Sequence, residues 1–252
     1  MNIHINTPLE KVSSDIIIKV GSHMYNLNNE DSDTDYLTIY LESNEDLTSY
    51  LWEHHQLQYK ENGVDYNYSS LKQFVRNILT GDATINFECL WSNEIKEKLP
   101  FFYENREKFI SFSVIKSYLG LAKRDYKMLG KSKEEFNKKS THFIRGVMFA
   151  EDLLEGNFNL TKGNELLKKV KNGKIFKSEL IEINKEYFEK MNTLRKKLNE
   201  KFEKKEIRRY SDPKFLREID EYIKNIYEHG ERHKSIKDKV DLYHVLENGI
   251  EY

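Results

Sequence analysis

A glycine–serine pair, Gly21-Ser22, ends one apolar run of the chain, and two aspartates, Asp33 and Asp35, open the next. These residue types in this order suit chemistry on phosphate. Glycine lets the backbone approach a ligand closely, and the serine hydroxyl with its neighbouring amides can hold phosphate oxygens. Asp33 and Asp35 point the same way, because side chains along a strand alternate with period two. Parallel carboxylates repel unless a cation lies between them, and Mg²⁺ favours a few carboxylates together with phosphate oxygens and water. A third acid on a neighbouring strand completes a two-metal clamp for in-line displacement at phosphorus. Asp65 is the candidate, an acid inside the apolar and aromatic run Val64-Asp65-Tyr66.

The elements that must hold these residues are strands. Residues 15–20 form a β-branched run ended by Gly21, which reads as a buried strand. Residues 36–41 read as a second strand and residues 64–68 as a third. Between the first two, residues 26–32 are rich in turn and capping types. Ser69-Ser70 are N-cap candidates for a helix over residues 71–79 that stops at Gly81.

From about residue 100 the period becomes helical. Pro100 begins a helix through Phe109, and Ser113 caps a longer one ending at Gly130. Another spans residues 133–154 before Gly156. A charged helix over residues 178–209 carries Leu180, Ile183, Tyr187, Met191, Leu194, Leu198 and Phe202 on one stripe. Ser211-Asp212-Pro213 caps a last amphipathic helix, and the tail after Gly230 reads as loosely held. The expected fold is α+β: a small mixed β-sheet core with helices over residues 1–110, then a C-terminal helical domain over 111–252. So few strands require helices to cover the sheet.

Forty-one lysines and arginines nearly balance forty-two acids, but unevenly along the chain. Residues 1–70 hold three basic residues against twelve acids, whereas residues 160–209 hold sixteen against eight. That split suits a metal site in one part and an anion-facing surface in the other, or else the basic segment is the solvated face of a helix. One cysteine, Cys89, rules out an intrachain disulfide and fits a reducing compartment. The first twenty residues do not resemble a secretory leader, and no apolar stretch nears the ~20 residues that span a bilayer. The reading is cytoplasmic, with no membrane partner.

Val20-Gly21-Ser22-His23-Met24-Tyr25 with Asp31-Ser32-Asp33-Thr34-Asp35-Tyr36 resembles the RlaP-type nucleotidyltransferases of the DNA polymerase β superfamily. The likeness continues through Asp65 and Tyr68-Ser69-Ser70-Leu71-Lys72-Gln73-Phe74. Phe87-Glu88-Cys89-Leu90-Trp91 carries it further, as does Lys139-Ser140-Thr141-His142-Phe143-Ile144-Arg145 with Glu151 and Gly156. Two positions depart from the family pattern. Asn26 stands where it has glycine, a change that asparagine's tolerance of left-handed backbone accommodates. Gly81-Asp82 stands in place of an Asn-Pro pair.

The resemblance implies a core over residues 1–110 in which Asp33, Asp35 and Asp65 bind two Mg²⁺ ions, with Mn²⁺ as an alternative. Asp65 would also help deprotonate the acceptor, and Gly21-Ser22 would hold the β- and γ-phosphates of a nucleoside triphosphate. Lys139, His142 and Arg145, at i, i+3 and i+6, would face the nucleotide across the site. The implied activity moves a nucleoside monophosphate to an acceptor hydroxyl on RNA or protein. The alternatives are an antitoxin-like protein adenylyltransferase and a non-catalytic nucleotide-binding protein.

Other residues have plainer readings. Lys123 and Lys127 read as solvated, and Glu88, between apolar neighbours, as a buried hydrogen-bonding group. His54-His55 lacks partners at metal-ligand spacing. His229 and His233 sit at i, i+4, but Gly230 between them argues against zinc.

Overall fold

The computed structural model describes residues 2–4, 9, 11–29, 32–47, 56–130 and 135–233, with backbone alone for 2–4, 45, 46 and 56. The fold is α+β. Five strands, β1 (Asn2–His4), β2 (Ile16–Val20), β3 (Thr34–Tyr40), β4 (Gln56–Glu61) and β5 (Val64–Ser70), form one mixed sheet in the order β1-β4-β5-β3-β2. Strand β3 runs parallel to β5 and antiparallel to β2.

Ile16, Ile18 and Val20 alternate with exposed Ile17 and Lys19, so β2 buries one face only. Its buried face continues through Leu37 and Ile39 of β3 and is covered by helices. Asp35 pairs with Val20 and so belongs to this helix-covered face, at the end where strand gives way to loop.

Strand β4 was not anticipated. Its polar sequence, Gln-Leu-Gln-Tyr-Lys-Glu, buries Leu57 and leaves Lys60 and Glu61 exposed. The signal for it was the Asn62-Gly63 turn, where both residues have positive φ (50° and 78°), as a two-residue hairpin requires. The α+β reading is right, with more strands than the three expected.

After α1 (Asn44–Leu47), helices follow the last strand. Ser70 caps α2 (Leu71–Thr80) by accepting from the Gln73 amide at 3.1 Å, and Gly81 ends it in the left-handed region. Short helices α3 (Thr84–Cys89), α4 (Asn93–Lys98) and α5 (Pro100–Glu104) come next. The expected single helix over 100–109 is α5 plus a 3₁₀ turn at Arg106–Phe109. Ser111, not Ser113, caps α6 (Phe112–Met128). Helix α7 (Phe136–Glu155) ends at left-handed Gly156.

Helix α8 (Asn164–Lys171) was unforeseen. The charged helix α9 (Lys177–Glu203) stops short of residue 209, with Lys205 at positive φ. Asp212 caps α10 (Pro213–His229), as expected. One buried apolar cluster runs from Ile16 to Ile219, so sheet and helices share a core. No described helix is long and apolar enough to cross a membrane.

The segment after Gly230 is not loosely held as far as residue 233. Glu231 accepts from the Ser13 amide and hydroxyl, at 3.0 and 2.6 Å. The His233 ring nitrogen lies 2.7 Å from Asp15 Oδ1, with both side chains buried, and the His233 amide donates to Leu41 O. His229 Nδ1 meets Asn225 O at 2.9 Å, so neither histidine turns toward a shared ion. The Asp15–His233 contact ties the segment just after α10 to the strand that leads into Gly21, and residues 234–252 lie outside the described residues.

His233→Ala strands the buried Asp15 carboxylate with only the Val12 amide. It should lower unfolding free energy by about 2–4 kcal/mol, whereas adding Asp15→Asn should return part of that loss. Urea unfolding of the two variants checks this. Equal loss in both would contradict the stranded carboxylate as its cause.

Candidate active site

The three predicted acids meet at one end of the sheet. Parallel register places Asp35 of β3 beside Asp65 of β5, and Asp33 lies just before β3. All three line a cleft of about 760 Å³ between the sheet end and the helices. Gly21 and Ser22, at the end of β2, line it too. Gly21 has φ +66°, and a Cβ added there would fall on Asp35 Oδ2. The backbone conformation favours glycine, and any larger residue would also push the Asp35 carboxylate aside.

The carboxylates feel each other. Burial, then Asp65 and Asp33, push the Asp35 pKa up, against smaller opposing effects of Lys60 and His23. Asp65 is paired across the β4–β5 hairpin with Lys60, at 3.0 Å from Oδ1 and 3.3 Å from Oδ2. Both side chains are solvent-accessible, and such a pair yields easily to a stronger cation.

Among the described residues, no three His, Cys, Asp or Glu side chains converge into a ready-made metal cluster. The donor set nevertheless suits Mg²⁺ in kind. It is all oxygen, and Mg²⁺ draws on one or two carboxylates plus phosphate oxygens and water rather than a full protein cage. The mutual repulsion at Asp35 is what a cation would relieve.

The loop between β2 and β3 is shaped locally and then clasped. Asn26 adopts φ 54°, the left-handed conformation expected of it. Its amide donates to His23 O, and the Leu27 amide to Ser22 O. Two residues of α8 grip the loop from outside. Asn164 donates to Tyr25 O at 2.9 Å. Lys171 donates to Leu27 O at 2.8 Å and to Ser32 Oγ at 3.0 Å. Burial and the cations Lys138 and Arg145 lower the Lys171 pKa. Sequence reasoning missed this clasp; its trace was the excess of basic residues in 160–209. Asp31, in the same loop, and His54-His55 lie outside the described residues.

The opposite wall comes from α6 and α7. His142 and Arg145 line the cleft, and so does Lys138. Lys139 is not among the lining residues; its ammonium lies 3.8 Å from Asp125 Oδ1. Arg145 stacks over the Tyr25 ring, 3.8 Å from its centroid. Beneath them Glu88 is buried, as expected, and accepts from the hydroxyls of Tyr25 and Tyr118 (the latter at 2.9 Å). Burial raises the Glu88 pKa, against the pull of Arg145 and both tyrosines. The network joins the Gly21-Ser22 loop to α6 and places a guanidinium above it.

His142 is strongly perturbed. Burial first, then Arg145, Lys138, Lys139 and Lys171, lower its pKa to about 3. It is therefore neutral at pH 7, among cations with few acids facing them. Acids on one side and cations on the other fit a metal-bound polyphosphate between them.

A family model described as RlaP, the RNA repair pathway DNA polymerase beta family, matches residues 16–242. No curated protein and no solved structure matches the chain.

Two outcomes follow from these charges. The unfolded chain protonates His142 near 6.5 and the folded chain only near 3, so this residue makes stability fall as pH drops below 6.5. His142→Gln should gain on the parent by about 1.4 kcal/mol per pH unit below 6.5, read from urea unfolding at pH 7, 6 and 5. A constant difference across that range would contradict the buried neutral imidazole. Asp35→Asn should raise Tm by about 2 °C without divalent cations at pH 7, because it removes like-charge repulsion. The gain should shrink as acid protonates Asp35 in the parent, and a lower Tm for the variant would contradict it.

Proposed function

The chain belongs to the RlaP family, and from that membership we propose that it is a metal-dependent nucleotidyltransferase acting on nucleoside triphosphate and an RNA 3′ hydroxyl. The observation that supports this reading is the side-by-side register of Asp35 and Asp65 against Gly21-Ser22, facing Arg145, Lys138 and His142 across one cleft.

Asp33 and Asp35 would hold two Mg²⁺ ions, and Asp65 would share one of them on the acceptor side. When bound, the ions would supply charge stabilisation to the attacking and leaving oxygens. The Gly21-Ser22 backbone and the Ser22 hydroxyl hold the terminal phosphates, at a glycine whose φ of +66° disfavours larger residues. Arg145 is fixed by its stack on Tyr25, so its guanidinium meets phosphate charge at little entropic cost. Neutral His142 can donate to a phosphate oxygen without adding to the crowding of cations. Asp65, released from Lys60, takes the proton of the acceptor hydroxyl. The products are pyrophosphate and RNA extended by one nucleotide.

RNA fits the acceptor better than protein on two grounds. The family is described by an RNA repair pathway, and residues 160–209 carry twice as many basic residues as acids. The test is transfer of α-labelled nucleotide, from each NTP with Mg²⁺, to RNA ending in a 3′ hydroxyl or a 3′ phosphate. Label should enter only the 3′-hydroxyl RNA, and Asp33→Ala/Asp35→Ala should lower the rate at least about a hundredfold. Equal labelling by the double variant, or label in protein alone, would contradict the proposal.

A further inference from the structure

The outer end of the cleft carries an acid that phosphate chemistry does not use. Asp125 lies seven residues beyond Tyr118 on α6, about 10 Å along the helix from the Glu88 network. It lines the cleft yet is only 5% exposed, and its Oδ1 accepts no hydrogen bond. The nearby cations Arg124 and Lys139 stand 3.7 and 3.8 Å away, within ion-pair range but beyond hydrogen-bond distance. Thr141, on the facing wall, already donates its hydroxyl to Asn137 O at 2.8 Å.

A buried carboxylate oxygen without a donor costs free energy, and its presence in a binding cleft points to a donor that the ligand brings. Phosphate cannot be that donor, because it carries only acceptors and negative charge at neutral pH. On a nucleoside triphosphate the donors lie on the nucleoside alone, as base N–H groups and ribose hydroxyls. The separation along α6 suits that division. Phosphates lie at the Ser22–Arg145 end, and the nucleoside reaches toward Asp125 past Leu121, an apolar wall residue one turn away on the same face.

On the nucleotidyltransferase reading, we propose that Asp125 is the nucleoside-recognising residue of the cleft, accepting a hydrogen bond from a base amine or a ribose hydroxyl. Lys139 then serves indirectly, by offsetting the charge of Asp125 behind the cleft surface. Through a base amine Asp125 discriminates among the nucleotides, and through a ribose hydroxyl between ribo- and deoxyribonucleotides, whereas Asp33, Asp35 and Asp65 would treat all of them alike.

Calorimetry on the full chain with Mg²⁺ separates the two ends of the cleft, using inorganic triphosphate as the phosphate-only probe. The parent should bind its preferred NTP at least tenfold more tightly than triphosphate. Asp125→Asn should keep triphosphate affinity within about twofold and weaken the NTP about ten- to a hundredfold, the cost of losing a hydrogen bond to a charged group. Retained triphosphate binding also shows that the variant is folded.

Two sets of analogues then locate the donor. ITP for GTP, purine riboside triphosphate for ATP, or UTP for CTP alters the base amine, and 2′- and 3′-deoxy forms remove the hydroxyls. One of them should reproduce the loss on the parent and lose nothing further on Asp125→Asn. The proposal is overturned if the variant weakens triphosphate and NTP equally, or if every analogue binds the parent as well as the natural nucleotide. Failure of the nucleotidyltransferase reading looks different: the parent then binds neither triphosphate nor any NTP, or binds NTP without transferring label to RNA.

Discussion

Like-charge repulsion among carboxylates at one end of a sheet is the constraint to which the rest of the molecule answers. Parallel pairing of β3 and β5 leaves Asp35 no position except beside Asp65, and Asp33 adds to the same field. Separating the acids would require breaking the register, which the buried rows through Leu37 and Ile39 oppose. The strain therefore stays local. Lys60 meets part of it across the hairpin, and the Gly21 backbone approaches the Asp35 carboxylate closely.

The helices supply a complementary charge and hold it still. Arg145 is braced by Tyr25, and Tyr25 is braced by Glu88, which also takes Tyr118. One buried carboxylate thus connects the Gly21-Ser22 loop, α6 and the cationic wall of α7. Helix α8 closes the loop from its other side through Asn164 and Lys171. The loop that carries Ser22 is held by backbone carbonyls as much as by its own turns, so its shape depends on elements more than a hundred residues away. That dependence adds to the coupling that their shared core already provides.

Much of this was legible in the amino-acid order, for reasons of local chemistry. Strands β2 and β3 announce themselves by β-branched runs, and Gly21, Asp33, Asp35 and Asp65 by their placement at run ends and inside them. What stayed hidden depends on distant contacts. Nothing near Lys171 says that its ammonium reaches Leu27 O, and nothing near His233 points to Asp15. The phase of α7 shows the same limit. Periodicity grouped Lys139 with His142 and Arg145, but only the position of Asp125 on α6 reveals that Lys139 turns aside and Lys138 lines the cleft. Strand β4 is a different kind of omission. Its composition is polar, yet the Asn62-Gly63 turn was a local signal that could have been read.

On the proposed function, a single metal-bound triphosphate would bridge the acids of the sheet and the cations of α7. Anomalous diffraction from crystals grown with Mn²⁺ and a non-hydrolysable NTP would locate both. Mn²⁺ peaks should appear among Asp33, Asp35 and Asp65, with phosphate density running from Gly21-Ser22 to Arg145. Mn²⁺ bound away from these acids, or a triphosphate that contacts only one wall, would contradict it.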